Sequence, residues 1–204
     1  MQREKGYSGP LDAVKVAEGI NAANRNAQRL ATDARILLDA KRYPTAAVLA
    51  ALSIEEGGKS SILRGLALAK SPEKLRAEWR RYRDHCSKNG AWILPQLVAQ
   101  GARQLYELRD VVERDAEHTA LLDSVKQIAI YIDCYGNAHW SEPSTVIDEY
   151  LAESLVKIAE ALCRDETVAT REIELWVEHL GPVWETPEML KRCCVGRLRC
   201  IERV

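Results

Sequence analysis

No stretch of the 204-residue chain is apolar for 18 residues, so no segment reads as a membrane-spanning helix. The start, MQREKGYSGP, has no hydrophobic signal core, and the expectation is a cytoplasmic protein. The six cysteines, at 86, 134, 163, 193, 194 and 200, contain no CxxC pair, so they read as reduced thiols and not as a zinc box or a disulfide frame. Net charge is only −1, which gives no global attraction to nucleic acid; any such binding has to come from local patches. Neither common glycine-rich phosphate loop is present, and no Glu-x-x-His repeat offers a di-metal site between helices. No metal and no cofactor is expected. No run reads as a strand, and there are no internal repeats.

What remains is helical. Apolar residues at 47% and charged residues at 29% suit a globular chain long enough for one sizeable domain. Residues 1–10 read as a flexible lead ending at Gly9-Pro10. Val16, Ile20, Ala23, Ala27, Leu30, Ala34 and Leu37 then alternate spacings of four and three, the stripe of a helix over about 11–40. Lys41-Arg42-Tyr43-Pro44 makes a turn into a second helix that returns antiparallel to about Ala69. Ser71-Pro72-Glu73 opens a third helix, with Ser71 as cap, running through Lys88 to a stop at Asn89-Gly90. Pro95 breaks the next segment; helices are expected over about 97–113, 121–135, 144–163 and 170–180. Cys134 to Pro143 is expected as a loop, and Thr186-Pro187-Glu188 as the cap of a last helix.

The chain is organised around Tyr43 to Lys59, YPTAAVLAALSIEEGGK, an apolar helix that ends in charges. A carboxylate that stays packed there needs a cation, because burying it alone is costly. Lys59 lies four residues past Glu55 and three past Glu56, within reach of either. Gly57 and Gly58 each cost a helix on the order of 1 kcal/mol, which points to a close approach by another part of the chain. The alternative is a solvated helix end with an ordinary ion pair.

The sharpest constellation is Arg80-Arg81-Tyr82-Arg83-Asp84-His85. Residues 70–88 carry seven Lys or Arg against three acids, a local charge of +4. His85 is a natural acid/base group near neutral pH, and arginine offers a planar fork for phosphate oxygens. Cleavage of RNA by its own 2′-hydroxyl needs that pair of functions, a proton shuttle and a stabiliser of the phosphorane charge. Arg80 lies five residues before His85, roughly 140° away on a straight helix. The two converge only if the helix ends or kinks between them, or if a second copy supplies the complement. A solvated basic face is the other reading of this cluster. His118 reads as surface, His139 as structural, and His179 as a helix-end imidazole.

Three blocks in this order resemble a known family: the Ala-rich helix with Glu55-Glu56-Gly57-Gly58-Lys59, His85-x-x-Lys88, and Ile130-Tyr131-Ile132-Asp133 with Trp140-Ser141-Glu142-Pro143. The chain looks like an AbiV-type abortive infection protein of the HEPN superfamily over about 11–165. That resemblance implies an all-α, up-and-down bundle; residues 166–204 lie outside it and are expected as a helical extension packed on the same domain. It implies a homodimer in defence against phage, with RNA or a phage or host protein as partner. It also implies a metal-independent ribonuclease motif of arginine, four to six residues, then histidine, which Arg80 and His85 match. By the same carry-over, Glu55, Glu56, Lys59, Arg83 and Lys88 support the site or bind substrate. Arg81 departs from the small polar or acidic residue common after the motif arginine. A non-catalytic interaction module is the alternative function.

Overall fold

The computed structural model describes residues 6–101, 111, 117–163 and 165–184. Among these residues the elements are α1 (Ala13–Asp39), α2 (Tyr43–Leu68), α3 (Pro72–Arg83), α4 (Leu94–Ala99), α5 (Glu117–Ile130), β1 (Asp133–Tyr135), β2 (His139–Ser141), α6 (Pro143–Val146), α7 (Glu149–Leu162) and α8 (Thr170–Leu180). Two 3-10 turns, Cys86–Lys88 and Gly90–Ile93, stand between α3 and α4. The architecture is all-α with one small hairpin.

The chain divides into two compact units, one of 1–21, 61–83 and 167–204, the other of 22–60 and 84–166. In the first, Val16, Ile20, Leu63, Leu66, Trp79, Val168 and Ile173 form the core, and Leu68, Leu180 and Val183 form a smaller cluster. Asn21 holds the chain before α8 by giving its Nδ2 to the Val168 carbonyl at 2.9 Å and accepting the Val168 amide at 2.8 Å. The segment read as a lead is bonded to α3: Trp79 Nε1 donates to the Gly9 carbonyl at 2.9 Å, and Arg83 donates to the Tyr7 carbonyl at 2.7 Å.

The second unit is built on the alanine stripe. Ala31 and Ala34 of α1 pack with Ala46, Ala47, Ala50 and Ala51 of α2, and Leu122, Ala129, Ala152, Leu155 and Val156 close the same core. Side chains this small let helix backbones approach closely. The helices run antiparallel, as two cross-links show: Ser53 Oγ donates to the Ala27 carbonyl at 2.7 Å, and Ser60 Oγ to Asn24 Oδ1 at 3.1 Å. The turn that reverses them ends α1 with paired bonds, Arg42 N to the Leu37 carbonyl and Lys41 N to the Leu38 carbonyl, with Lys41 left-handed at φ 58°.

Five sequence expectations are corrected. The helix expected over 121–135 runs instead over Glu117–Ile130, and Asp133–Tyr135 is extended and pairs in the hairpin. The third helix ends at Arg83, five residues early, because the Asp84 carboxylate accepts the Ser87 amide at 2.7 Å and starts a 3-10 turn. Pro95 does not break a segment but sits in the first turn of α4, where its missing N–H costs nothing. The expected loop at 134–143 contains β1 and β2, paired antiparallel with Tyr135 opposite His139, across a turn where Gly136 and Ala138 have positive φ. The helix expected over 144–163 is two helices. Ile147 turns extended into the core, and Asp148 recaps the chain by accepting the Leu151 amide at 2.8 Å. Most of the helix expected over 97–113, the cap at Thr186-Pro187-Glu188 and Cys193, Cys194 and Cys200 lie outside the described residues. Cys86, Cys134 and Cys163 are free thiols.

Candidate functional site

The second unit gathers its charges around one buried carboxylate. Glu55, on the inward face of α2, is 3% exposed. Its Oε1 takes the Lys126 ammonium of α5 at 2.5 Å, and its Oε2 accepts His85 Nδ1 at 2.8 Å. Lys88 Nζ stands 3.8 Å from the same Oε2. Lys126 also pairs with Asp123, one turn earlier on α5, at 2.7 Å. Glu56 and Lys59 pair with each other at 2.5 Å along the half-buried flank of α2.

Gly58 is what lets this cluster form. A Cβ there would run into the backbone carbonyl of Lys88, so the 3-10 turn lies directly on α2 only because the position is glycine. The close approach expected from the Gly57-Gly58 pair is therefore real at Gly58, whereas Gly57 has nothing within 4 Å of an added Cβ. The turn is pinned from its far side as well. Asn89, fully buried, gives Nδ2 to the Thr119 carbonyl at 3.1 Å, and Trp92 Nε1 donates to the His118 carbonyl at 2.9 Å. His118, expected on the surface, is half-buried against Trp92.

Burial and charge set the titration of these groups. Burial pulls Lys88 below the ordinary lysine range, and the nearby Lys59 and Lys126 add to this against the pull of Glu55. Burial acts on Lys126 in the same sense, but its hydrogen bonds to Asp123 and Glu55 outweigh it and hold the group above that range. Burial raises the Cys86 thiol, which argues against a reactive thiolate there.

The His85 ring is 59% exposed while its Nδ1 is tied to Glu55. A carboxylate can only accept, so Nδ1 carries the proton and the neutral ring has its lone pair on Nε2. An anchored imidazole with one working nitrogen is the arrangement a general base needs.

The sequence candidates divide cleanly. Glu55, His85 and Lys88 come together, with Glu56 and Lys59 as a neighbouring pair. Arg80 and Arg83 lie on α3 in the other unit. Arg83 is committed to the Tyr7 carbonyl, to Ser8 and to the face of Trp79 at 5.4 Å. Arg81 is held by both oxygens of the buried Glu78. Arg80 is exposed and has no hydrogen bond or ion pair among the described residues, so its guanidinium is open to an outside anion.

Lys126 and Asp123 were missed by sequence reasoning. The signal was there: Lys126 falls one turn after Leu122 on the apolar stripe of α5, where a lysine has to find a buried acid. The donor atoms of Glu55, His85 and Asp123 lie within 4.8 Å of one another, close enough to hold a metal ion. The Lys126 ammonium, against both carboxylates, already balances one of their two negative charges and competes with a divalent ion for them. A family model, HEPN_AbiV, described as AbiV, matches residues 15–164, which include every residue of this cluster. No curated protein and no solved structure matches the chain.

Proposed function

The chain belongs to the AbiV family of HEPN proteins, and from that premise we propose that it serves abortive infection against phage as a metal-independent endoribonuclease. The supporting observation is the bond from His85 Nδ1 to the buried Glu55 with the ring still open to solvent. In this reading His85 Nε2 takes the 2′-hydroxyl proton as the oxygen attacks phosphorus, and a protonated His85 returns a proton to the departing 5′-oxygen. Arg80, exposed and without an ion pair among the described residues, holds the negative phosphorane oxygens. Two copies meeting across a two-fold axis supply a base, an acid and two guanidiniums to one phosphate. Glu55 and Lys88 position the histidine, while Glu56, Lys59 and Arg83 support the surrounding structure. The HEPN-like domain runs over 11–165, with 166–204 as its extension, and works in the cytoplasm.

RNA cleavage by the wild type and by His85→Ala, both in EDTA, tests the reading. The expected result is wild-type cleavage that EDTA does not touch, and a loss of about a hundredfold or more in the variant. The variant should keep its helical circular dichroism, since the exposed ring adds little packing. Undiminished cleavage by His85→Ala would overturn the assignment.

A second reading has its own observation. Tyr131, Ile132, Tyr135, Trp140 and Tyr150 are exposed along one stretch of the chain, with Trp140 at 65% and Tyr150 at 79%. Aromatic residues left in water together are typical of protein-docking patches. As a non-catalytic module, the chain would bind a phage or host protein there. Phage-plating assays separate the two readings. A nuclease predicts that His85→Ala loses protection, whereas a docking module predicts that Trp140→Ala loses it and His85→Ala keeps it.

A further inference from the structure

We infer that Lys126 is a positioning residue for His85: by sharing the buried Glu55 carboxylate with it, Lys126 lets that carboxylate orient the imidazole without locking it as a charged pair. The inference rests on the proton-transfer reading of His85, and it concerns a residue on α5 that the arginine–histidine motif does not contain.

The geometry is a chain of contacts. Lys126 Nζ meets Glu55 Oε1 at 2.5 Å, and the other oxygen of the same carboxylate meets His85 Nδ1 at 2.8 Å. Lys126 is itself buried, 5% exposed, so its charge is little screened by water. A buried carboxylate facing a histidine alone would form a tight ion pair and hold the imidazolium form well past neutrality. Such a histidine orients well but gives up its proton too reluctantly to act as a base at physiological pH. A permanent cation on the far oxygen draws off part of the carboxylate's charge and leaves the near oxygen to accept Nδ1–H.

The other charges around the ring fit this account. Asp84 is beside His85 in the chain and interacts with it electrostatically; Lys88 faces Glu55 from the 3-10 turn at 3.8 Å, and Asp123 flanks Lys126 on α5. Lys88 is held toward its neutral form, so Lys126 is the steadier of the two cations at Glu55. Asp123 keeps Lys126 charged, and one of its oxygens lies within 4.8 Å of donor atoms of both Glu55 and His85.

The test titrates the His85 ring by nitrogen-15 NMR in the folded protein without RNA, with its signal assigned by loss in His85→Ala. Wild type should show the Nδ1–H tautomer when neutral. In Lys126→Met, where Glu55 answers mainly to the histidine, the His85 pKa should rise by about half a unit to one unit. If the variant cleaves RNA, the acid limb of its pH–rate profile should move up by the same amount. An unchanged or lowered His85 pKa in folded Lys126→Met would overturn the inference.

Should Lys126→Met not fold, Glu55→Leu/Lys126→Met removes both charges and the acceptor for Nδ1–H together. There the His85 pKa should drop below the wild-type value and the neutral ring should revert to the Nε2–H tautomer usual in water. A ring that stays Nδ1–H with its wild-type pKa would equally overturn the inference. Because the titration needs no substrate, it can fail while RNA cleavage stands, and it can hold in a protein that cuts nothing.

Discussion

Glu55→Gln is expected to lower the free energy of unfolding by about 3–5 kcal/mol, the usual cost of removing one partner from a buried ion pair. The carboxylate is 3% exposed and is the shared acceptor for Lys126, His85 and Lys88. Without it, Lys126 keeps only Asp123, and Lys88 loses the one carboxylate oxygen within 4 Å of its ammonium among the described residues. Urea denaturation read by circular dichroism should show the midpoint falling at an unchanged slope. Glu55→Leu/Lys126→Met should recover part of that loss, because replacing both charges by apolar groups leaves less charge stranded in the core. A single variant as stable as the wild type would mean that water reaches the cluster and screens it.

The same cluster gives stability a dependence on pH at the alkaline end. Lys126 is held above its ordinary value in the folded chain, so it contributes stability that is present below the unfolded lysine pKa of about 10.5 and lost as pH rises through the folded one. Lys88 is held below its ordinary value, so the folded chain releases that proton first and gains stability between the folded pKa and the unfolded one. Lys88→Met should therefore remove a penalty that the wild type carries near neutrality, while Lys126→Met removes a contribution. Their opposite signs in denaturation at neutral pH are the check.

Gly58→Ala is expected to destabilise by about 2–3 kcal/mol, while Gly57→Ala, its neighbour on the same helix, stabilises by about 0.5–1 kcal/mol. Both substitutions relieve the helix of a poor former. At Gly57 the new methyl meets nothing within 4 Å. At Gly58 it meets the Lys88 carbonyl, a backbone atom that yields only if the whole 3-10 turn moves off α2. That turn carries His85 and Lys88, so the Gly58 variant should also weaken the His85–Glu55 bond and with it any cleavage. Thermal melts of the two variants side by side decide it. Equal shifts would mean that the turn does not rest on α2 as described.

Much of this protein was written in its pattern. The alternation from Val16 to Ala34 marked the buried stripe of α1, and each of those residues is buried. The apolar run from Ala46 to Ile54 marked α2 as the central helix, and Ser71 caps α3 as its chemistry demanded, accepting the Lys74 amide at 3.3 Å. Thr170–Leu180 is helical at the residues expected. These features are local: helix period, cap and turn chemistry act over a few residues and need no partner. The blocks around Glu55, His85 and Trp140 likewise carried the family resemblance that the matched region bears out.

What the chain could not announce by itself was who meets whom. The helix end at Arg83 depends on Asp84 choosing the Ser87 amide over another helical turn, a competition that spacing alone does not settle. Lys59 was in reach of either Glu55 or Glu56 along α2; tertiary structure gave it Glu56 and gave Glu55 to His85, Lys88 and Lys126, which lie 30, 33 and 71 residues further on. Sequence periodicity determined the helices and which faces they bury. Only the fold decided which cation answers a buried carboxylate, because that charge takes whichever partner close packing leaves beside it.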